Sequence, residues 1–415
     1  MQSILPKFDQ TESDRITSAS AENIPALISS FTLARTEPEN FLKQVTWHVS
    51  DAIDDMFIEQ AAESPASCFH ARIWIESWAK SIAADRHVSV KVVVGSISDV
   101  PVIAIPMCSI STGLLTSVQF TGQDVCDYNT PIVHRELSFF SSRQLMEYIC
   151  LEAPHLFSDA DCFDLRKCLF EDDMLPEKGA LWQEEPDNAH LCHLSGNWEE
   201  DLPHFVGKSS RKSLKRKLKK LQSMGDVTFR EASTEAHRKL AIEKLIDWKT
   251  EQLKDLGAAS IFQSRPFCDL LRTAVMEDRS DQVRVFGMYI DEKPVALTLM
   301  LCRESRWFLY QTAYTSEEAG KYSPGYLLLL HIMEEASNQN IPIFDFGWGN
   351  EAYKARFATF SLCLYRAFVP LSLKGRIARY VLNTVLVAKE LAKSNRYTRF
   401  AATFMLRTTA LLKRR

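Results

Sequence analysis

Tyr322-Ser-Pro-Gly325 and Phe344-Asp-Phe-Gly-Trp-Gly-Asn-Glu-Ala-Tyr-Lys-Ala-Arg-Phe357 are the stretches that decide the fold of this 415-residue chain. Before them, Trp307 to Thr315 is rich in aromatic and β-branched residues and predicts a strand. Glu317 to Tyr322 is polar, carries Gly320 and predicts a loop. Ser323 suits an N-cap, and Pro324 fits a first helical position, where its missing N–H is not needed. Gly325 leaves the backbone of that turn uncovered. Leu329, Ile332, Met333 and Ala336 then recur on one helical face, and Ile341 to Phe346 is a second short apolar strand.

Strand, helix and strand at this length predict a right-handed crossover between parallel strands. The helix N-terminus then lies at the C-terminal ends of both strands, where free N–H groups and the helix dipole favour an anion such as a pyrophosphate. Taken alone, Ser323-Pro-Gly325 reads as an ordinary capped helix. The second stretch adds to it. Alternation puts Ile341, Ile343, Asp345 and Gly347 on one strand face, so a carboxylate ends an apolar row and must find partners or shift its pKa. Gly347 and Gly349 permit a tight turn and the close approach of another group. Asn350, Glu351, Tyr353 and Lys354 follow within about one helical turn.

Ser323-Pro-Gly325, Asp345-Phe-Gly-Trp-Gly349 and Tyr353-Lys354 together resemble the bacterial acetyltransferase-like proteins linked to cellulose and exopolysaccharide biosynthesis, within the GNAT superfamily. Tyr353-Lys-Ala-Arg-Phe357 is similar to the Tyr-Lys-x-x-Phe ending of the related Fem-type aminoacyltransferases. Asn350 stands where such relatives often carry Asp. Ser210-Arg211, Leu221 and Gly225 resemble the family's entry into its C-terminal domain. Phe69, Trp74, Trp78 and Asp127-Tyr128…Pro131 resemble its N-terminal half. The resemblance implies an α/β (α+β) fold of tandem GNAT-like domains, each a mixed, mostly antiparallel twisted sheet flanked by helices. The expected organisation is a disordered leader at 1–40, a degenerate GNAT-like domain at 41–200, an acyltransferase domain at 201–370 and a basic helical tail at 371–415.

Composition is that of a globular protein, with 46% hydrophobic and 25% charged residues. The ten cysteines lack regular spacing and include no Cys-x-x-Cys, so they read as small core residues in a reduced cytoplasm, with no metal site. No apolar run reaches the ~18 residues of a membrane span. The net charge of −4 conceals two basic segments. Lys208 to Lys220 holds eight basic residues and no acid, and Lys374 to Arg415 holds eleven with one acid, Glu390. With +8 and +10 in those segments, the rest of the chain carries −22.

In the N-terminal half, a helix is expected around His70 to Ala84. Val88–Val94, Val102–Met107 and Leu114–Phe120 are expected to form an antiparallel meander, with Leu145–Leu151 near a helix and Glu171–Trp198 a loop. In the C-terminal half, Val227–Glu231, a hairpin of Val283–Ile290 with Val295–Cys302, the crossover and a closing strand at Leu362–Val369 give the GNAT order. The tail reads as a solubilising helix packed on the core, with docking to an anionic membrane surface as the alternative.

For acyl transfer, the resemblance implies that Tyr322, Ser323, Pro324 and Gly325, with Gly347 and Gly349, hold acetyl-CoA or another acyl-CoA. Asp345 and Glu351 are the base candidates. Tyr353 is the candidate acid, or a substrate contact. Lys354 would balance phosphate charge or pair with Asp345. The acceptor implied is an amine or hydroxyl of a sugar or saccharide precursor. Two other readings stand beside this one: a non-catalytic scaffold of polysaccharide synthesis, and a Fem-like transferase using aminoacyl-tRNA, in which the Lys208–Lys220 helix would track nucleic acid. Without the Fem-type coiled-coil insertion, the acyl-CoA donor is favoured over tRNA.

Overall fold

The computed structural model describes residues 29–64, 68–86, 88–170, 181–255 and 261–394. Its strands are β1 (Thr46–Ser50), β2 (Ser89–Ile97), β3 (Val100–Ser111), β4 (Thr116–Phe120), β5 (Ile132–Val133), β6 (Cys162–Cys168), β7 (Gln183–Glu184) and β8 (Ala189–His193). They continue as β9 (Val227–Glu231), β10 (Val283–Ile290), β11 (Lys293–Cys302), β12 (Arg306–Tyr314), β13 (Ile343–Trp348), β14 (Phe360–Leu362) and β15 (Tyr365–Pro370).

Two sheets result, with one topology. The first runs β1-β2-β3-β4-β6-β15-β7, with β5 beside β3. The second, read in the same sense, runs β9-β10-β11-β12-β13-β8-β14. In each, the fourth and fifth strands are parallel and every other neighbour along the row is antiparallel. A helix crosses between the parallel strands, Ser142–Leu151 in the first sheet and Pro324–Asn338 in the second. The tandem GNAT-like α/β architecture is therefore present.

The sixth position of each sheet is filled from the other half. β8 precedes the expected boundary at 200/201 yet pairs with β13 and β14. β15 follows the C-terminal elements yet pairs with β6 and β7. This corrects two expectations. Leu362–Val369 does not close the C-terminal sheet, and part of the acidic stretch Glu171–Trp198 is an internal strand rather than a loop. Ala189, Leu191 and Cys192 are fully buried, so β8 has the apolar content of an interior strand despite its acidic flanks.

The expected disordered leader is also corrected over its described part. Residues 29–36 are helical, a second helix spans Pro38–Gln44, and Ala34, Phe41 and Leu42 are buried in the core of the first sheet. Residues 1–28 lie outside the described ones. The helical run 72–86 buries Trp74 and Trp78 between the sheets, where they share a core with Tyr128, Leu297, Leu299 and Phe308. Beneath the crossover helix, Leu329, Ile332, Met333 and Ala336, the apolar face that the sequence spacing predicts, are buried in one core with Phe344 and Phe346, and Leu328 joins them. The cysteines are all free thiols, and all but Cys363 are buried.

Candidate active site

The two parallel strand pairs part early, and the space between them is used differently. In the second sheet, β12 and β13 pair only at Arg306–Ile343, Trp307–Phe344 and Phe308–Asp345. Beyond that point β12 continues to Tyr314 and β13 to Trp348 without a shared ladder. Leu299 faces Gln311 while Met300 faces Leu309, so Tyr310 is an extra, bulged residue where the strands diverge. From there the β12 edge facing β13 has no strand partner, although the Tyr314 carbonyl on it accepts from Gln252 at 2.9 Å.

In the first sheet, β4 and β6 pair at Ser117–Cys162 and Val118–Phe163 and then part in the same way. Here the chain fills its own cleft. The Gln123 side chain accepts from Arg166 N–H at 2.8 Å and donates to the Asp164 carbonyl at 3.0 Å. Asn129 N–H donates to the Lys167 carbonyl and Leu169 N–H donates to that of Asn129, both at 2.9 Å. Segment 121–129 thus occupies the edge that a guest would use.

The same segment reaches into the open cleft's neighbourhood. Tyr128 donates its hydroxyl to Asp345 Oδ1 at 2.7 Å, and Asp127 Oδ2 accepts from Trp348 N–H at 3.0 Å. Gly347 makes that approach possible. Its φ is +76°, and a Cβ there would lie 2.4 Å from Asp127 Oδ2 and 2.8 Å from Phe308 Cζ.

Asp345 is fully buried and its carboxylate is occupied. It accepts from Tyr128, from Gly347 N–H at 2.8 Å and from Arg306 Nη1 at 3.0 Å. Burial pushes its carboxyl above the ordinary range, while Arg306, Tyr128 and Gly347 act to keep it ionised. Lys354 does not pair with Asp345. Its ammonium donates to the Trp348 carbonyl at 2.6 Å and lies 2.9 Å from Glu351 Oε2, so Arg306 is the cation that Asp345 meets.

The carboxylates that reach solvent are Asp127 and Glu351, with side chains 26% and 58% exposed. Burial raises the pKa of Asp127, with Lys167 at 4.0 Å and Lys354 opposing. Burial acts upward on Glu351 too, but its bond to Lys354 and the charges of Lys354 and Lys249 bring it below the usual value. Burial lowers Lys249. Tyr353 is 38% exposed, and desolvation with the charges of Glu351 and Asp127 raises its phenol, which keeps its proton. Asn350 donates to Asp187 and faces His190, a structural link.

At the start of the crossover helix, Ser323 has φ +57° and ψ +50°, and its hydroxyl makes no capping bond. The expected N-cap role is corrected: Ser323 Oγ instead accepts from Lys217 Nζ at 2.7 Å. Lys217 belongs to the basic helix Lys208–Gln222, which packs beside the Glu318–Tyr322 turn. Pro324 and Gly325 are buried, and Tyr322 is half-buried on the crossover helix's core. The spot thus combines a helix N-terminus, no side-chain cap and an adjacent ammonium, which suits a phosphate.

Asp127, Lys167, Lys217, Lys249 and Arg306 were missed as site residues by sequence reasoning. Asp127-Tyr128 and the Lys208–Lys220 run were visible signals, but nothing local tied them to Asp345 or Ser323. A cavity of about 950 Å³ lies elsewhere, lined by His70, Arg72, Arg135, Arg303 and Gln339, where β12 and β13 begin. It touches neither Ser323 nor Asp127.

Comparison with known proteins bears on the fold. Residues 208–355 match the family model described as an acetyltransferase (GNAT) domain. A crystal structure of FemX aligns with TM-score 0.51 and 10% identity over 72% of this chain and 91% of that one, a likeness of fold alone. A conserved protein of unknown function from Bacteroides thetaiotaomicron aligns with TM-score 0.48 and 12% identity, over 77% and 99% of the two chains. A tandem GNAT protein from the clavulanic acid biosynthesis pathway aligns with TM-score 0.37 and 11% identity, over 79% and 99%. No curated protein matches the chain.

Proposed function

We propose that this chain is an acyltransferase that moves an acyl group from acyl-CoA, most simply acetyl-CoA, to an amine or hydroxyl acceptor. The carrying observation is the parting of β12 and β13 beside a helix N-terminus that has no side-chain cap and that Lys217 flanks. The residues present suit such a donor. Lys217 and the Gly325 N–H would hold its pyrophosphate, since Pro324 has no N–H and those of Tyr326 and Leu327 donate to the Ser323 carbonyl. The stretch of β12 before Tyr314 that β13 leaves would pair with its amide-bearing arm. Bound there, the donor supplies an activated thioester.

The protein's part is to place the acceptor, take its proton and hold charge on the carbonyl oxygen. Asp127 is the proton acceptor in this reading. Its carboxylate is partly accessible and its raised pKa makes it a stronger base than an ordinary Asp. Backbone N–H groups at the Tyr310 bulge are the donors for the carbonyl oxygen. Tyr353, protonated at neutral pH, holds a proton for the departing sulfur. Asp345, closed off by its three partners, positions Tyr128 and Gly347 and hence Asp127. Resemblance alone points to a saccharide precursor as acceptor.

Two variants test the reading. Acetyl-CoA should raise the melting temperature of the wild type, by about 2.7 kcal/mol of stabilisation at a hundredfold excess over Kd. Lys217→Glu should remain folded and shift less. Asp127→Asn should keep the shift yet lose about 10²–10⁴ in turnover. In the wild type, kcat/KM should fall with acidification at a pH above the usual Asp range, and that limb should vanish in Asp127→Asn. A folded wild type with no shift at millimolar acetyl-CoA would refute the donor assignment.

A further inference from the structure

The tail helix Leu373–Ser394 is fixed at its base, and most of its described side chains beyond that are exposed. Leu371 N–H donates to the Asp161 carbonyl at 2.8 Å, and the Ser372 hydroxyl donates to Asp161 Oδ1 at 2.6 Å. Gly375 lies so close that a Cβ there would stand 2.0 Å from the Asp161 carbonyl oxygen. Past this clamp the expectation of a helix packed on the core fails for the described side chains. Leu373, Ile377, Tyr380 and Val381 are 73%, 58%, 75% and 55% exposed. At 100° per residue these four fall within one arc of roughly 100°. Lys374 borders that arc on one side and Arg376 on the other, with Arg379 about 100° past that margin on the polar flank.

Of the twelve exposed large hydrophobic residues among those described, four lie on this arc, with Leu382 on the opposite side of the helix. The sequence between Leu371 and Lys389 contains no Asp or Glu, and from Leu391 to Arg415 it adds basic residues and no acid. We infer that the Leu373–Val381 face docks on an anionic lipid surface. The helix would lie in the interface plane, its apolar row at the acyl boundary and its cations among the headgroup phosphates. A nucleic acid would engage the cations but leave the apolar row in water. This inference is independent of the acyl-transfer reading.

Flotation of the full chain with phosphatidylcholine vesicles, with and without phosphatidylglycerol, tests it. Binding is expected only with phosphatidylglycerol, and it should weaken with salt. Arg376→Glu or Arg379→Glu should each lower partitioning roughly fivefold or more. Ile377→Asp with Tyr380→Asp should abolish binding with an unchanged unfolding midpoint, because both side chains are exposed. Failure of the intact chain to float with anionic vesicles would overturn the inference, as would undiminished binding by the double variant. A concentration-dependent dimer that this variant dissolves, without vesicle binding, would assign the face to a second copy and overturn it too.

Discussion

The two parallel pairs, β4 with β6 and β12 with β13, are the same piece of architecture put to opposite uses. Both part after two or three paired residues. Between β4 and β6 the gap is closed by Gln123 and Asn129, whose amides satisfy the β6 backbone. Between β12 and β13 the contacts are fewer: Asp127 and Tyr128 bond to β13, and on β12 the Tyr310 hydroxyl donates to the Val125 carbonyl while the Tyr314 carbonyl accepts from Gln252. The crossover helices differ in parallel. Ser141 caps its helix by accepting from Gln144 N–H, whereas Ser323 turns its hydroxyl to Lys217. A backbone edge that the chain satisfies itself is structure, and one left for a guest is a site. The filled half contributes all the same, because its plug carries Asp127 and Tyr128 across to the open one.

The strongest way to break this contrast is Arg306→Met. It leaves the fully buried Asp345 without its cation, and a loss of about 3–5 kcal/mol in denaturant unfolding is expected. Gly347→Ala comes next. It combines a left-handed backbone with a clash against the Asp127 carboxylate and should remove about 1–3 kcal/mol, with turnover falling further than stability alone explains. Gln123→Ala strips the plug's amide from Arg166 N–H. A loss of about 1–2 kcal/mol is expected with acetyl-CoA binding unchanged, and weakened binding would show that the two clefts are coupled. The smallest effect should come from Asp124, on the same plug but in an exposed pair with Arg86. A double-mutant cycle there should yield less than about 1 kcal/mol.

Much of the fold was legible one window at a time. The crossover helix, the antiparallel meander of β2, β3 and β4 and the hairpin of β10 with β11 follow from apolar spacing and turn residues within each segment. The glycines after Asp345 announced a close approach, and one occurs at Gly347. The identity of the approaching group was not legible, since Asp127 lies far away in sequence. Asp345 looked like a base because a carboxylate ended an apolar row. Its surroundings instead supply Arg306, Tyr128 and a backbone N–H, partners that hold a charge in place.

The sequence by itself determined the local elements, the two basic segments and the absence of metal-binding spacing, because periodicity, turn chemistry and charge are properties of neighbouring residues. Only the tertiary structure decided that β8 and β15 exchange sheets, that segment 121–129 closes one cleft while arming the other, and that Lys217 meets Ser323. Tyr128 and Asp345 are 217 residues apart, and Lys217 and Ser323 are 106. Strand partners and converging side chains at such separations depend on which apolar faces share a core, and no local pattern encodes that choice.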